Sequence, residues 1–304
     1  MISLIKRPRV AVLLAAYNGM RWIEEQISSI LKQRGVDVTI YISVDPSPDV
    51  TFKWCRDLSV REPRVIVLPD TGECFGGAAK NFFRLVKDVD FRGFDYVSYA
   101  DQDDIYLEDK YWAAHEVIAE HGYAGYSSNA TAFWPDGRQA LLVKSQPQRK
   151  YDFLFEAGGP GCSYMLRASD ALEFKYFLIQ NWAATSNVAL HDWLTYAWFR
   201  ATGRSWYIDE RSYILYRQHG GNQIGANDGI AGIKSRLRML ASGWYREEIS
   251  KISNLVGHHI PDLPTSLMRN GTLPKSFLIK NYSEFRRSNR DRLAFGVLAF
   301  LGLI

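Results

Sequence analysis

Strands alternating with helices along residues 9–101, apolar runs that stop on polar residues, and an ordinary globular composition predict an α/β fold with a mostly parallel, doubly wound sheet. With 304 residues, 47% of them hydrophobic, the chain suffices for one large domain, or a domain and an appendage. The first strand is RVAVLLAAYN, residues 9–18, whose near-continuous apolar run suits burial on both faces. Residues 20–35 then place Trp22, Ile23, Ile27, Ile30 and Leu31 at helical spacing and close on Gly35. Residues 38–45 and 63–70 read as the second and third strands, with a weakly periodic helix around FKWCRDLSV between them. GGAAKNFFRLVKDV, residues 76–89, opens a helix from a glycine turn and leads into FDYVSYAD as the fourth strand.

The second half changes pattern. KYWAAHEVIAEHG is a helix, and YAGYSSNATAFWPDGRQALLV reads as strand, turn, strand. CSYMLRASDALEF is a short strand entering a helix, LHDWLTYAWFRATG a further helix, and SYILYRQHGGNQIG a strand leaving into a loop. From residue 226 onward the pattern is helical, basic and finally apolar. The predicted division is therefore a catalytic unit over 1–225, split near residue 110, and a C-terminal appendage over 226–304.

The net charge of +4 is uneven, because residues 275–292 hold six basic and two acidic residues. The basic residues lack an interleaved aromatic groove pattern, which argues against a nucleic-acid partner. Cys55, Cys74 and Cys162 form no CxxC pair and suit a reducing compartment rather than a disulfide or zinc framework. No signal-peptide pattern occurs at the N-terminus, so the expected location is cytoplasmic. The apolar stretch 293–304 would reach only about 18 Å as a helix, too short for a bilayer core of roughly 30 Å. It either packs on its own domain or, with the basic segment before it, forms with residues 275–304 a peripheral contact to an anionic membrane surface at the inner face of the cytoplasmic membrane.

Asn18, Asp45, Asp70 and Asp101 all fall at strand ends, where open α/β sheets bind ligands, though Asn and Asp also cap helices and start turns. In YADQDDIYLEDK, residues 99–110, Asp101, Asp103 and Asp104 crowd together. Charges about 4 Å apart repel by roughly 4 kcal/mol at a surface-like dielectric, so the cluster needs compensation. It either forms a solvated turn capping the next helix or half-builds a site for Mg²⁺ or Mn²⁺, completed by substrate phosphates.

AAYN, SVDPSPD, FGGAAKN, YADQDDIYLEDK, GCSYMLR, HDW and YRQHGGN, in this order over residues 8–225, resemble glycosyltransferase family 2 of the GT-A fold, especially its bacterial rhamnosyltransferase-like members. The resemblance implies a nucleotide-sugar donor, dTDP- or UDP-linked, a Mn²⁺ or Mg²⁺ ion, and inverting transfer to a glycan or lipid-linked glycan in bacterial surface glycan synthesis. It implies L-rhamnose from dTDP-rhamnose first, another UDP- or dTDP-sugar second; a catalytically inactive sugar-binding protein is the competing class. Residue by residue, it implies that Ala15, Tyr17 and Asn18 follow the nucleotide, Asp45 meets the base, and Gly76, Gly77 and Asn81 flank it. Asp101 and Gln102 join that donor set, and Asp103 and His219 hold the metal, although a lone His after a strand is commonly structural. Asp192 takes the role of catalytic base, its bland reading being a helix N-terminal charge. Asp104, Gly161, His191, Trp193 and Arg217 are expected on the acceptor side or elsewhere at the site; His191 would point away from Asp192 on a helix, most tryptophans should be core, and Arg217 pairs with a phosphate or with a neighbouring carboxylate. Val44 and Pro46 depart from the family pattern, where an acidic residue and glycine are usual, which stiffens the turn at Asp45.

Overall fold

The computed structural model describes residues 6–220 and 242–303. Its helices are α1 Ile23–Leu31, α2 Thr51–Arg61, α3 Ala78–Asp88, α4 Lys110–His121, α5 Ala168–Gln180, α6 Trp182–Thr185, α7 His191–Ala201, α8 Trp244–Val256, α9 Thr265–Asn270, α10 Lys275–Asn281 and α11 Asn289–Phe300. The strands are β1 Arg9–Ala16, β2 Asp37–Val44, β3 Val65–Val67, β4 Tyr96–Ala100, β5 Ile105–Tyr106, β6 Gly125–Phe133, β7 Gln139–Leu142, β8 Met165–Arg167 and β9 Trp206–Arg217. One sheet runs β3-β2-β1-β4-β8-β6-β9-β5, with β7 beside β6. The β3, β2, β1 and β4 half is parallel, while β8 enters antiparallel between β4 and β6.

β1 explains the layering. Its alternate residues Val10, Val12, Leu14 and Ala16 face one core with Ile27, Ile40 and Tyr111, while Ala11, Leu13 and Ala15 face another with Phe82, Tyr99 and Trp206. A strand with both faces covered must be apolar wherever it is covered, as this one is from Val10 to Ala16. Strand β3 is shorter than the expected 63–70, and a two-residue strand, β5, separates the acidic loop from α4. The helical reading of 226–241 lies outside the described residues.

The C-terminal helices join the first of these cores. Ile249 and Ile252 of α8, Phe285, and Phe295 and Ala299 of α11 pack in one cluster with Phe155 and Trp193. A buried ion network ties the same seam: Asp152 receives Arg200 at 3.3 Å and Arg287 at 3.1 Å, and the Tyr196 hydroxyl at 3.1 Å.

Candidate active site

The ends of β1, β2 and β4 are neighbours in the sheet, so the polar residues after them meet at one rim. Gln102 clamps two of these ends: its Oε1 accepts from the Tyr17 N–H and its Nε2 donates to the Tyr17 carbonyl, both at 2.8 Å. Asn18 holds φ +49°, a left-handed conformation that Asn tolerates, and donates its N–H to Ser47 Oγ in the loop after β2 at 3.0 Å. Asp45 accepts from the Phe75 and Gly76 N–H groups at 2.7 and 3.0 Å, which seats the Gly76-Gly77 turn against β2. Asn81 donates to the Ser43 carbonyl at 3.0 Å and to that of Ala16 at 3.4 Å. These bonds tie the segments that carry Ala15, Asn18, Asp45, Gly76, Gly77, Asn81 and Gln102 to one rim, where Tyr17 is 53% exposed. Asn81 and Asp45 are buried and hold strand and loop ends together, whereas Tyr17 presents a surface that a planar base could cover.

The acidic loop follows β4. Ligand atoms of Asp101, Asp104 and Cys162 lie within 4.8 Å of one another. Burial first, then the charges of Asp103 and Asp192, push the Asp101 carboxyl up to about 8. Asp104 is fully buried; its Oδ1 accepts from the Arg217 N–H at 3.1 Å, while Oδ2 has no hydrogen-bond partner. Asp103 points the other way, with Oδ2 at 2.7 Å from His219 Nε2. The His219 ring stacks on Trp22 at a centroid distance of 4.1 Å. Arg217 links the same parts: Nε donates to the Asp103 carbonyl at 2.8 Å and Nη2 pairs with Glu25 at 2.5 Å. Asp101 and Asp104 are desolvated carboxylates with the Cys162 thiol beside them, and Asp103 follows on the same loop; carboxylate oxygens are the hard donors that Mn²⁺ or Mg²⁺ takes.

The opposite wall is built on Gly161. A Cβ there would come within 2.7 Å of His191 Nε2 and 3.1 Å of Asp192 Cβ, so glycine alone permits this approach. Because Cys162, the next residue, touches the acidic loop, the turn brings Asp192 within electrostatic reach of Asp101. Asp192 is only partly covered, and burial pushes its carboxyl up to about 6 despite an N–H from Trp193 at 2.8 Å. His191 is buried and stacked on Phe82 at 3.8 Å, and burial pulls its imidazole down to about 3. An imidazole held that low is a weaker proton acceptor than the Asp192 carboxylate beside it.

The structure buries three of the residues named for the acceptor side. Asp104 lies beneath the loop, fully buried. Trp193 is buried, with Nε1 donating to the Phe153 carbonyl at 3.0 Å, and His191 is enclosed by aromatic rings. These side chains shape the site from below and present nothing to an acceptor. Arg217 and Gly161 stand at the site's edges as described above. Sequence reasoning missed Trp22 and Glu25, which look like ordinary amphipathic-helix positions until β9 returns beside them. It also missed Lys110, buried with its ammonium 4.2 Å from the Tyr106 and Tyr111 ring centres; burial pulls it down to about 7, and the charges of Cys162 and Asp104 oppose that shift.

The strand-end rim, the acidic loop and Asp192 lie together on one edge of a mostly parallel sheet flanked by helices, a GT-A-like fold. Among solved structures, the fold is shared with S. aureus TarS residues 1–349 in complex with UDP, at a TM-score of 0.56, 11% identity, and coverage of 97% of this chain and 81% of that one. The TarS structure with UDP-GlcNAc gives 0.54 at 12% identity, with the same coverage of 97% and 81%. The glycosyl transferase family 2 pattern matches residues 11–166. A dTDP-rhamnosyl transferase, RfbG of Shigella flexneri, is 39% identical over 95% of this chain and 100% of its own length. The chain belongs to glycosyl transferase family 2 and is a glycosyltransferase.

Proposed function

We propose that the protein transfers L-rhamnose from dTDP-rhamnose, with inversion, to a hydroxyl of a glycan or lipid-linked glycan in bacterial surface glycan synthesis. The donor reading is supported by likeness to a dTDP-rhamnosyl transferase along nearly the whole chain. The observation that carries the mechanism is the placement of Asp192 across the Gly161-Cys162 turn from Asp101. Asp192 accepts the proton of the acceptor hydroxyl as its oxygen bonds to the anomeric carbon. The bond from that carbon to the diphosphate oxygen breaks, and its electron pair leaves with the nucleoside diphosphate. With a carboxyl pushed up to about 6, Asp192 is ionised at neutral pH yet more basic than an exposed aspartate.

In this reading Tyr17 covers the base, with Ala15, Asn18, Asp45, Gly76, Gly77, Asn81 and Gln102 forming or supporting the nucleotide cleft. Asp101 and Asp103 would hold a divalent ion, with His219 beside Asp103; when bound, the ion neutralises charge on the departing diphosphate. Residues 1–225 act as the catalytic unit, its nucleotide half ending near residue 110. The protein works in the cytoplasm as a peripheral protein of the inner membrane face; no described helix is long and apolar enough to cross a membrane.

The test is nucleoside diphosphate release and sugar transfer from dTDP-rhamnose and a panel of UDP- and dTDP-sugars, with Mn²⁺, Mg²⁺ or chelator. Metal-dependent turnover of dTDP-rhamnose above all other donors is expected. Preference for a UDP-sugar would replace the donor, and full turnover in chelator would remove the ion.

A further inference from the structure

Helix α11 carries apolar residues on two opposite faces, one packed on the core and one turned outward. Phe295 and Ala299 face the core, where the Phe295 ring lies 4.8 Å from Phe155 and 5.4 Å from Phe285. Leu293, Val297, Phe300 and Leu301 are 71%, 53%, 55% and 63% exposed, and their spacing of four, three and one places them on a single stripe. The helix is fixed at both ends, since Ser288 caps its start and Arg246 donates to the Gly302 carbonyl just past its end. The stripe is therefore a property of the folded protein rather than of a frayed terminus.

Helix α10 borders it. The Lys275 ammonium lies 4.6 Å from the Phe300 ring centre, and Ile279, one turn further along the same side of α10, is 73% exposed. Lys280 is exposed too, and Arg290, at the start of α11, is almost fully exposed, with Asp291 as a neighbour at 3.9 Å. An apolar strip with a basic edge matches the interfacial region of an anionic bilayer, where acyl chains take the apolar side chains and headgroups take the cations. A second copy fits less well, because a two-fold contact on this strip would set its cations against one another. The twelve residues of α11 reach about 18 Å, so the helix would lie in the membrane plane.

We infer that the outward stripe of α11, edged by Lys275, Lys280 and Arg290, is the surface by which the protein docks on anionic lipid. This deepens the peripheral attachment proposed above, and its test separates the two. Full-length protein is sedimented with phosphatidylglycerol–phosphatidylethanolamine vesicles and with phosphatidylcholine vesicles. Wild type is expected to bind the anionic vesicles preferentially, and Leu293→Glu/Val297→Glu/Leu301→Glu to lower the bound-to-free ratio at least tenfold. Because all three side chains face solvent, the melting temperature and metal-dependent release of nucleoside diphosphate should be unchanged. Lys275→Glu/Lys280→Glu is expected to weaken binding and flatten its salt dependence. If the triple variant binds like wild type, attachment stands and this surface falls; if wild type stays in solution, both fall. A dimer in sedimentation velocity that the triple variant abolishes, with vesicle binding unaffected, would assign the stripe to a second copy and overturn the inference.

Discussion

Two of the buried acidic centres among the described residues are compensated in opposite ways. At the C-terminal seam, Asp152 has two arginines on its carboxylate, and Arg287 also reaches Glu156 at 3.6 Å. Burial pushes Asp152 upward, and the charges of Arg287 and Arg200 pull against it. At the sheet rim, Asp101 and Asp104 have no arginine or lysine ion pair among the described residues; the Cys162 thiol lies beside them, and Lys110 acts on Asp104 only through its field. The seam carries its cations in the chain; the rim leaves room for one from outside. A centre that stabilises the fold is complete on its own, whereas one that binds a charged substrate is completed by it.

The largest expected effect concerns the carboxylate facing the rim. Asp192→Asn removes the proton acceptor without touching the donor cleft, and general-base loss reduces transfer by about 10²–10⁴-fold. Product formation should fall by that factor while dTDP affinity, read by calorimetry, stays within about twofold of wild type. Near-normal turnover would dismiss Asp192 as the base.

The contrast itself is tested by breaking each centre in turn. Arg287→Met leaves the Asp152 carboxylate with fewer partners in a buried seam, and breaking such a pair costs about 3–5 kcal/mol. Urea unfolding should show that loss. Asp103→Asn should leave unfolding nearly unchanged and lower metal-dependent turnover by about 10²-fold or more, the scale for removing electrostatic stabilisation of a leaving group. If both variants fail by unfolding, the rim is structural and the comparison collapses.

A smaller effect is expected with pH. The base must be ionised, and burial pushes Asp192 up to about 6, so at saturating metal, where the ion keeps Asp101 ionised, transfer should be half-maximal near pH 6 and fall as the pH drops further. In Asp192→Glu any remaining acid limb should move with the new carboxyl. A profile flat from pH 5 to 7 would show that another group takes the proton.

Most of the layout was legible in the sequence because strand burial and strand ends leave periodic, local signals. The unbroken apolar run of β1 announced two covered faces, and the polar residues after β1, β2 and β4 announced the rim. What was not legible depends on long-range return of the chain. Asp104 and Asp103 are adjacent in sequence, yet one faces the interior and the other His219, a distinction fixed by where β9 passes. Trp193 sits beside Asp192 but points into the core toward Phe153, as neighbours on a helix diverge by about 100°. The C-terminal helices carried no sign in sequence that Arg287 would pair with Asp152, 135 positions away.

The smallest effect expected sharpens the rim's side of the comparison. Trp22, just before α1, supports the His219 ring that meets Asp103, while Glu25 of α1 holds Arg217. Trp22→Ala removes one aromatic stack, worth about 0.5–1.5 kcal/mol, or roughly a 2- to 13-fold change in an equilibrium. Since that stack orients a metal-side group, the change should appear in the Mn²⁺ concentration needed for half-maximal activity. Turnover at saturating metal should move less, and Trp22→Phe should restore most of the loss. A purely structural tryptophan would instead lower the melting temperature and leave the metal titration where it was.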